Sequence, residues 1–134
     1  MELALCPVVK PGFPPDVEEG RRMMQRKKIL IIEDDGKSRF ALESVLQERG
    51  YEVLSVGSAE EAEAQMGHQQ FDAAVVDMRL PKKQGTDFAR DLRKRYKDIR
   101  IIFVTAYHED VHAPIPGSVL LIKPIQMDVL CKLL

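Results

Sequence analysis

Two short apolar runs in this chain each end in carboxylic acids. Residues 29–32 are followed by Glu33 and Asp34, and residues 73–76 are followed by Asp77. A run that is apolar at every position is typical of a parallel strand that is covered on both faces of its sheet. Open parallel sheets keep their chemistry at the carboxyl ends of the strands. The pattern therefore predicts a buried parallel sheet with acidic residues at its functional edge.

Strand-like segments alternate with segments of helical periodicity along the chain. This alternation is typical of an α/β fold whose parallel strands are joined by right-handed crossovers. We expect a doubly wound, five-stranded, flavodoxin-like sheet of order 2-1-3-4-5, in which the first and third strands are neighbours. The predicted strands are 29–32, 52–56, 73–77, 99–105 and 119–122.

Capping signals and apolar spacing predict the helices. Ser58, with Glu61 three positions later, has the form of a capping box and predicts a helix over 59–66. Gly85 precedes another helical segment, and a last helix is predicted over 125–134. The helix predicted after Gly36 carries apolar residues at helical spacing, namely Phe40, Ala41, Val45 and Leu46.

The segment between Thr105 and Lys123 departs from this alternation. It contains Pro114 and Pro116, and proline interrupts a helix interior. Any helix here is predicted to extend little beyond 108–112. We therefore expect a shortened fourth helix between the fourth and fifth strands.

Composition indicates a single globular domain with a tail. The chain has 134 residues, 45% of them hydrophobic, and a formal net charge of -1, which favours neither nucleic acid nor an anionic membrane as a partner. Residues 1–28 are rich in proline and then in basic residues, so we interpret them as an extension or linker before a domain over 29–134. With no long apolar run and no metal-ligand spacing of cysteines, a cytoplasmic protein is expected.

The predicted strand ends bring together a group of polar side chains. The first strand ends in Glu33 and Asp34, the third in Asp77, the fourth in Thr105 and the fifth before Lys123. Three neighbouring carboxylates repel one another, and a hard cation such as Mg²⁺ relieves that repulsion. A carboxylate can itself be the nucleophile of aspartyl-phosphate chemistry, while a lysine and a hydroxyl bind the phosphoryl oxygens.

The chain resembles the receiver domains of two-component response regulators from about residue 28 to residue 134. The motifs that carry the resemblance are IIEDD over 31–35, VVDMRLPKKQG over 75–85, VTA over 104–106 and KP at 123–124. This resemblance implies a signalling switch rather than a conventional enzyme. Proteins of this family take a phosphoryl group from the phosphohistidine of a sensor histidine kinase or phosphotransfer protein, and they catalyse their own phosphorylation and dephosphorylation.

The resemblance also implies a role for each site residue. Asp77 is the expected phosphoacceptor, with Asp34 as a direct Mg²⁺ ligand and Glu33 acting through metal-bound water. Arg79 is expected to offer its backbone carbonyl to the metal. Thr105 would bind the phosphoryl group, and Lys123 would pair with it ahead of a cis bond to Pro124. Asp35 is left outside the ligand set.

Two departures from the family pattern matter for signalling. The aromatic residue that usually stands three positions before the lysine is Leu120 here, and the fourth helix is short. The sequence therefore does not determine how the domain passes on its signal or whether it forms a homodimer. The alternative is a degenerate receiver that acts as a phosphorylation-independent protein interaction module. Arg79 and Tyr107 stand where the family tunes phosphoryl lifetime, and we expect their bulk to slow its decay. A Mg²⁺-dependent phosphatase is disfavoured, because Arg79 replaces the second acid that such enzymes use.

Overall fold

In the computed structural model, residues 26–80, 84–107 and 114–134 are described. Five strands form one parallel sheet, and four helices alternate with them along these described ranges. The strand order is β2-β1-β3-β4-β5, as the sequence predicts. The elements are β1 (Lys28–Ile32), α1 (Gly36–Glu48), β2 (Glu52–Val56), α2 (Ala59–Met66), β3 (Ala73–Asp77), α3 (Gly85–Arg95), β4 (Arg100–Thr105), β5 (Val119–Ile122) and α4 (Met127–Leu133).

The two faces of the sheet bury separate apolar clusters because side chains alternate along each strand. On one face, Leu30 and Ile32 pack with Phe88 of α3. On the other face, Ile29 and Ile31 pack beside residues of α1 and α4. This double coverage explains why the central strands are apolar at consecutive positions.

The register of the central strands aligns their carboxyl ends. Ile32 pairs with Val76, and Asp77 pairs with Val104 one position further along. The acids that follow β1 therefore meet the acid that ends β3 at one edge of the sheet. This juxtaposition is the one expected from the strand order.

Helix α1 forms where predicted, but apolar spacing does not identify its buried face. Leu42 and Leu46 are buried, whereas Phe40 is 70% exposed and Ala41 is also exposed. Phe40 lies two residues from Leu42, and therefore about 200° around the helix from it. Burial of the Leu42 side consequently turns Phe40 toward solvent.

The capping box predicted for α2 is present in the structure. The Ser58 hydroxyl accepts a hydrogen bond from the Glu61 N–H at 3.1 Å, and Glu61 Oε1 accepts one from the Gly57 N–H at 2.6 Å. Two N–H groups at the start of the helix are thereby satisfied. Gly67, with a φ of 55°, ends the helix.

Two predictions concern segments outside the described residues. The short helix expected over 108–112 lies in one undescribed segment, and most of the proposed extension over 1–28 lies in another. Within the described part of the chain, no helix has the length and apolar character needed to cross a membrane.

Candidate functional site

Three carboxylates form a cluster at the carboxyl edge of the sheet. Glu33 and Asp34 follow β1, and Asp77 ends β3. Each offers an oxygen that lies within 4.8 Å of the other two. Glu33 and Asp77 are buried, with 1% and 7% exposure, whereas Asp34 is exposed. Two buried carboxylates and one at the solvent side therefore face a common point.

Lys123 pairs with two of these acids from the end of β5. Its Nζ lies 2.6 Å from Glu33 Oε1 and 3.4 Å from Asp77 Oδ2. Burial by itself would lower the pKa of this ammonium, but the hydrogen bond to Glu33 and the charges of Asp77 and Glu33 outweigh burial and raise it. Lys123 is therefore charged at neutral pH and partly neutralises the cluster.

Thr105 lies next to this pair at the end of β4. It is fully buried, its hydroxyl oxygen accepts a hydrogen bond from the Tyr107 N–H at 3.1 Å, and its carbonyl accepts one from the Lys123 N–H at 2.7 Å. The backbone of Lys123 is thus tied to the residue whose hydroxyl is predicted to bind the phosphoryl group. The Lys123–Pro124 peptide bond is cis.

Arg79 contacts Asp77 through its backbone and contacts Tyr107 through its side chain. The Arg79 N–H donates to Asp77 Oδ1 at 3.0 Å, and the guanidinium carbon lies 3.9 Å from the centroid of the Tyr107 ring. This cation–π stack joins the segment after β3 to the segment after β4 beside Asp77. Metal binding by the Arg79 carbonyl stays a prediction.

Gly85 allows α3 to start directly against the end of β3. A Cβ atom at this position would lie 2.0 Å from the Asp77 carbonyl oxygen and 3.1 Å from Met78 Cα. Both are backbone atoms, so no side-chain rotation could relieve the contact. The glycine in the motif therefore fixes how closely α3 approaches Asp77.

Sequence reasoning assigned no site role to Asp35 and Arg39, and both support the end of β1. The Asp35 carboxylate caps α1 by accepting from the Ser38 N–H at 2.9 Å, which lowers its pKa, and the Asp35 N–H donates to Glu33 Oε2 at 3.2 Å. Arg39 donates to the Glu33 carbonyl at 2.8 Å. The cap was detectable, because Asp is a preferred N-cap residue and stands directly before the helix start.

The carboxylate cluster suits a small divalent cation. The oxygens of the cluster lie within 4.8 Å of one another and face one point. Oxygen-only donors are the ligands of a hard cation, and Glu33, Asp34 and Asp77 supply them.

Sequence comparison with known proteins places this chain among response regulator receiver domains. The sequence model of the response regulator receiver domain family matches residues 29–134. The transcriptional regulatory protein AruR of Pseudomonas aeruginosa is 35% identical over 89 residues, which are 63% of this chain and 36% of AruR. The chain spans at most 38% of the length of the first curated relatives that it matches.

Solved structures similar to this chain are also response regulator proteins. Response regulator protein TrrA of Thermotoga maritima, in complex with Mg²⁺-BeF, is 29% identical with a TM-score of 0.67, and the match covers 81% of this chain and 99% of TrrA. A CheY-like receiver domain protein of Methanospirillum hungatei JF-1 is also 29% identical. Its TM-score is 0.71, and the match covers 81% of this chain and 90% of that one.

Proposed function

The chain belongs to the response regulator receiver domain family of two-component systems, and from this premise we propose that Asp77 accepts a phosphoryl group and that its phosphorylation is the signal. The observation that carries the proposal is the contact of Lys123 with both Glu33 and Asp77 beside a third acid. The proposed receiver domain spans 29–134, with 1–28 as an extension or linker.

Asp77 is the proposed nucleophile because of its position and its contacts. It ends a buried strand, and both its oxygens are engaged, one by the Arg79 N–H and one by Lys123. In the reaction, an Asp77 oxygen forms a bond to phosphorus while the phosphorus–nitrogen bond of the donor phosphohistidine breaks. The imidazole nitrogen keeps the electron pair and takes up a proton. The product on this chain is an aspartyl phosphate.

Asp34 and Asp77 are proposed to hold Mg²⁺ through carboxylate oxygens, and Glu33 is proposed to act through metal-bound water. The Arg79 carbonyl is a further proposed ligand. When bound, the cation supplies positive charge that stabilises the negative charge on the transferring phosphoryl group. The Mg²⁺-BeF complex of TrrA supports this proposal, since TrrA shares the fold and 29% of the aligned sequence.

Lys123 and Thr105 are proposed to bind the remaining phosphoryl oxygens. Lys123 is charged at neutral pH and stands 3.4 Å from Asp77, so it can pair with an incoming phosphoryl group by a small movement away from Glu33. The Thr105 hydroxyl is buried beside it and can donate a hydrogen bond to an oxygen of that group. Movement of Thr105 toward the phosphoryl group would report its presence.

The donor is proposed to be a sensor histidine kinase or a phosphotransfer protein, which two-component receiver domains use. A groove of about 580 Å³ opens beside Glu33 and Lys123. Its wall is largely apolar and comes from α1, the segment before α4 and the first residue of α4, including Val45, Ile125 and Met127. An apolar surface next to the acceptor is suited to a protein partner that must bring its histidine close.

The test is incubation with acetyl phosphate and Mg²⁺, followed by mass spectrometry and a Phos-tag gel. We expect the native chain to gain one phosphoryl group, and Asp77→Asn to gain none. Asp87→Asn is the matched control, because Asp87 is an exposed acid on α3 and should leave phosphorylation intact. Phosphorylation of Asp77→Asn, or none of the native chain, would contradict the proposal.

A further inference from the structure

Arg39 links the first turn of α1 to the end of β1. Its backbone N–H donates to the Asp35 carbonyl at 2.9 Å, and its guanidinium donates to the Glu33 carbonyl at 2.8 Å. The side chain is partly buried and does not belong to the carboxylate cluster. It therefore acts on the backbone that carries two of the acids.

Gly57, in the turn between β2 and α2, leaves room for this guanidinium. A Cβ atom at position 57 would lie 2.9 Å from a guanidinium nitrogen of Arg39 and 3.8 Å from its central carbon. Gly57 does not have a positive φ, so its backbone conformation does not require glycine. An added Cβ atom would instead crowd the Arg39 guanidinium, which would have to move.

The hydrogen bond to the Glu33 carbonyl fixes the peptide plane between Glu33 and Asp34. A peptide unit is planar and includes the Cα atom of Asp34, so holding its oxygen restricts the position of the Cα atom that carries the Asp34 side chain. Among the residues that the structure describes, none hydrogen-bonds to or pairs with the Asp34 carboxylate. The orientation of Asp34 therefore depends on the backbone that Arg39 holds.

We propose that Arg39, seated against Gly57, is a positioning residue that orients Asp34 for the metal. This inference rests on the metal site of the proposed function. Arg39 makes its contribution through the Glu33 carbonyl and not by binding the cation. Partners that orient metal ligands commonly contribute about 10- to 100-fold to metal affinity.

The direction in which Mg²⁺ affinity changes when Arg39 is replaced distinguishes a positioning role from a charge effect. Arg39 is a cation near an acidic cluster, so through charge alone its removal would tighten Mg²⁺ binding. Through positioning, its removal weakens binding. Lys37 gives a matched charge control, because it is an exposed cation on the same turn of α1.

The experiment is calorimetric titration of the full chain with Mg²⁺, without any phosphodonor. The variants are Arg39→Met, Gly57→Ala, the double variant and the two controls Lys37→Met and Gly36→Ala. A Cβ at Gly36 would approach Arg39 only to 3.8 Å, which is ordinary contact. Each variant is titrated at a temperature at which circular dichroism shows it to be folded.

We expect Arg39→Met to weaken Mg²⁺ binding about tenfold. Gly57→Ala should weaken it in the native background, because the new methyl group displaces the guanidinium, and should add nothing in the Arg39→Met background. Both controls should bind as tightly as the native chain or more tightly. If Arg39→Met does not fold, the comparison of Gly57→Ala with Gly36→Ala carries the test.

Three results would overturn the inference. Equal or tighter binding by Arg39→Met refutes positioning and leaves the proposed function intact. An equal loss of Mg²⁺ affinity from Gly57→Ala in the native and Arg39→Met backgrounds has the same two consequences, because the loss would then not depend on the Arg39 guanidinium. Absence of Mg²⁺ binding by the native chain would instead refute the proposed metal site, and the inference with it.

Discussion

The stack of Arg79 on Tyr107 predicts a measurable effect on how long Asp77 stays phosphorylated. The guanidinium carbon lies 3.9 Å from the ring centroid, and Tyr107 is 46% exposed. A cation–π contact at an exposed site stabilises by about 0.5–1 kcal/mol. That energy changes the ratio of stacked to open arrangements roughly two- to fivefold.

Loss of the phosphoryl group requires water to reach phosphorus on the side away from Asp77. The stacked side chains follow the strands that end in Asp77 and Thr105, so we expect them to cover part of that approach. If decay proceeds from the open arrangement, removing either partner should accelerate it by about two- to fivefold. Because both substitutions abolish the same stack, their effects should not multiply.

The assay follows decay after phosphorylation with acetyl phosphate and removal of the donor, by Phos-tag gel at several times. Arg79→Ala and Tyr107→Ala should each decay faster than the native chain, and the double variant should decay no faster than the faster single variant. Tyr107→Phe keeps the ring and should behave like the native chain. Arg90→Ala, an exposed arginine of α3, is the control. Unchanged decay in both alanine variants would refute the shielding argument, and multiplicative effects would refute the shared stack.

Three further predictions test the site and its support. Gly85→Ala should destabilise the fold by about 3 kcal/mol or more in urea unfolding, because its Cβ would lie 2.0 Å from the Asp77 carbonyl oxygen; a loss no larger than that of Gly36→Ala would contradict this. The pKa of Lys123 is raised, so its ion pairs should stabilise the fold fully below its ordinary value of about 10.4 and lose their effect as pH rises through the higher folded value. The stability difference between native and Lys123→Met should therefore shrink as pH rises above that ordinary value, and a constant difference would be evidence against the pairing. Ser58→Ala should lower stability by about 1 kcal/mol in the same unfolding assay, with Ser118→Ala for comparison, and no change would show that the α2 cap contributes little.

Patterns within short stretches of sequence predicted most of the fold. The consecutive apolar residues of β1 and β3 identified a doubly covered parallel sheet, and Ser58 with Glu61 marked the start of α2. Such signals work because burial, alternation and capping depend on residues close together in the chain. Alternation of elements predicted a parallel sheet, and the order 2-1-3-4-5 expected of a flavodoxin-like doubly wound fold is confirmed.

The exposed side of α1 could not be predicted in this way. Apolar spacing alone did not distinguish Phe40 from Leu42, since both fit a helical period. Which side is buried depends on how the helix sits on the sheet. The close approach of Gly57 to Arg39 could not be predicted for a similar reason, because the two residues lie on different elements.

The sequence by itself determined which groups stand at the strand ends, because each strand and the residue after it are contiguous. Only the tertiary structure decided how those groups meet. Lys123 lies closer to Glu33 than to Asp77, at 2.6 Å against 3.4 Å, across separations of 90 and 46 residues. Likewise, the Arg79 guanidinium stacks on the Tyr107 ring. These contacts join different strands, so their distances follow from the packing of the whole sheet and not from any local pattern.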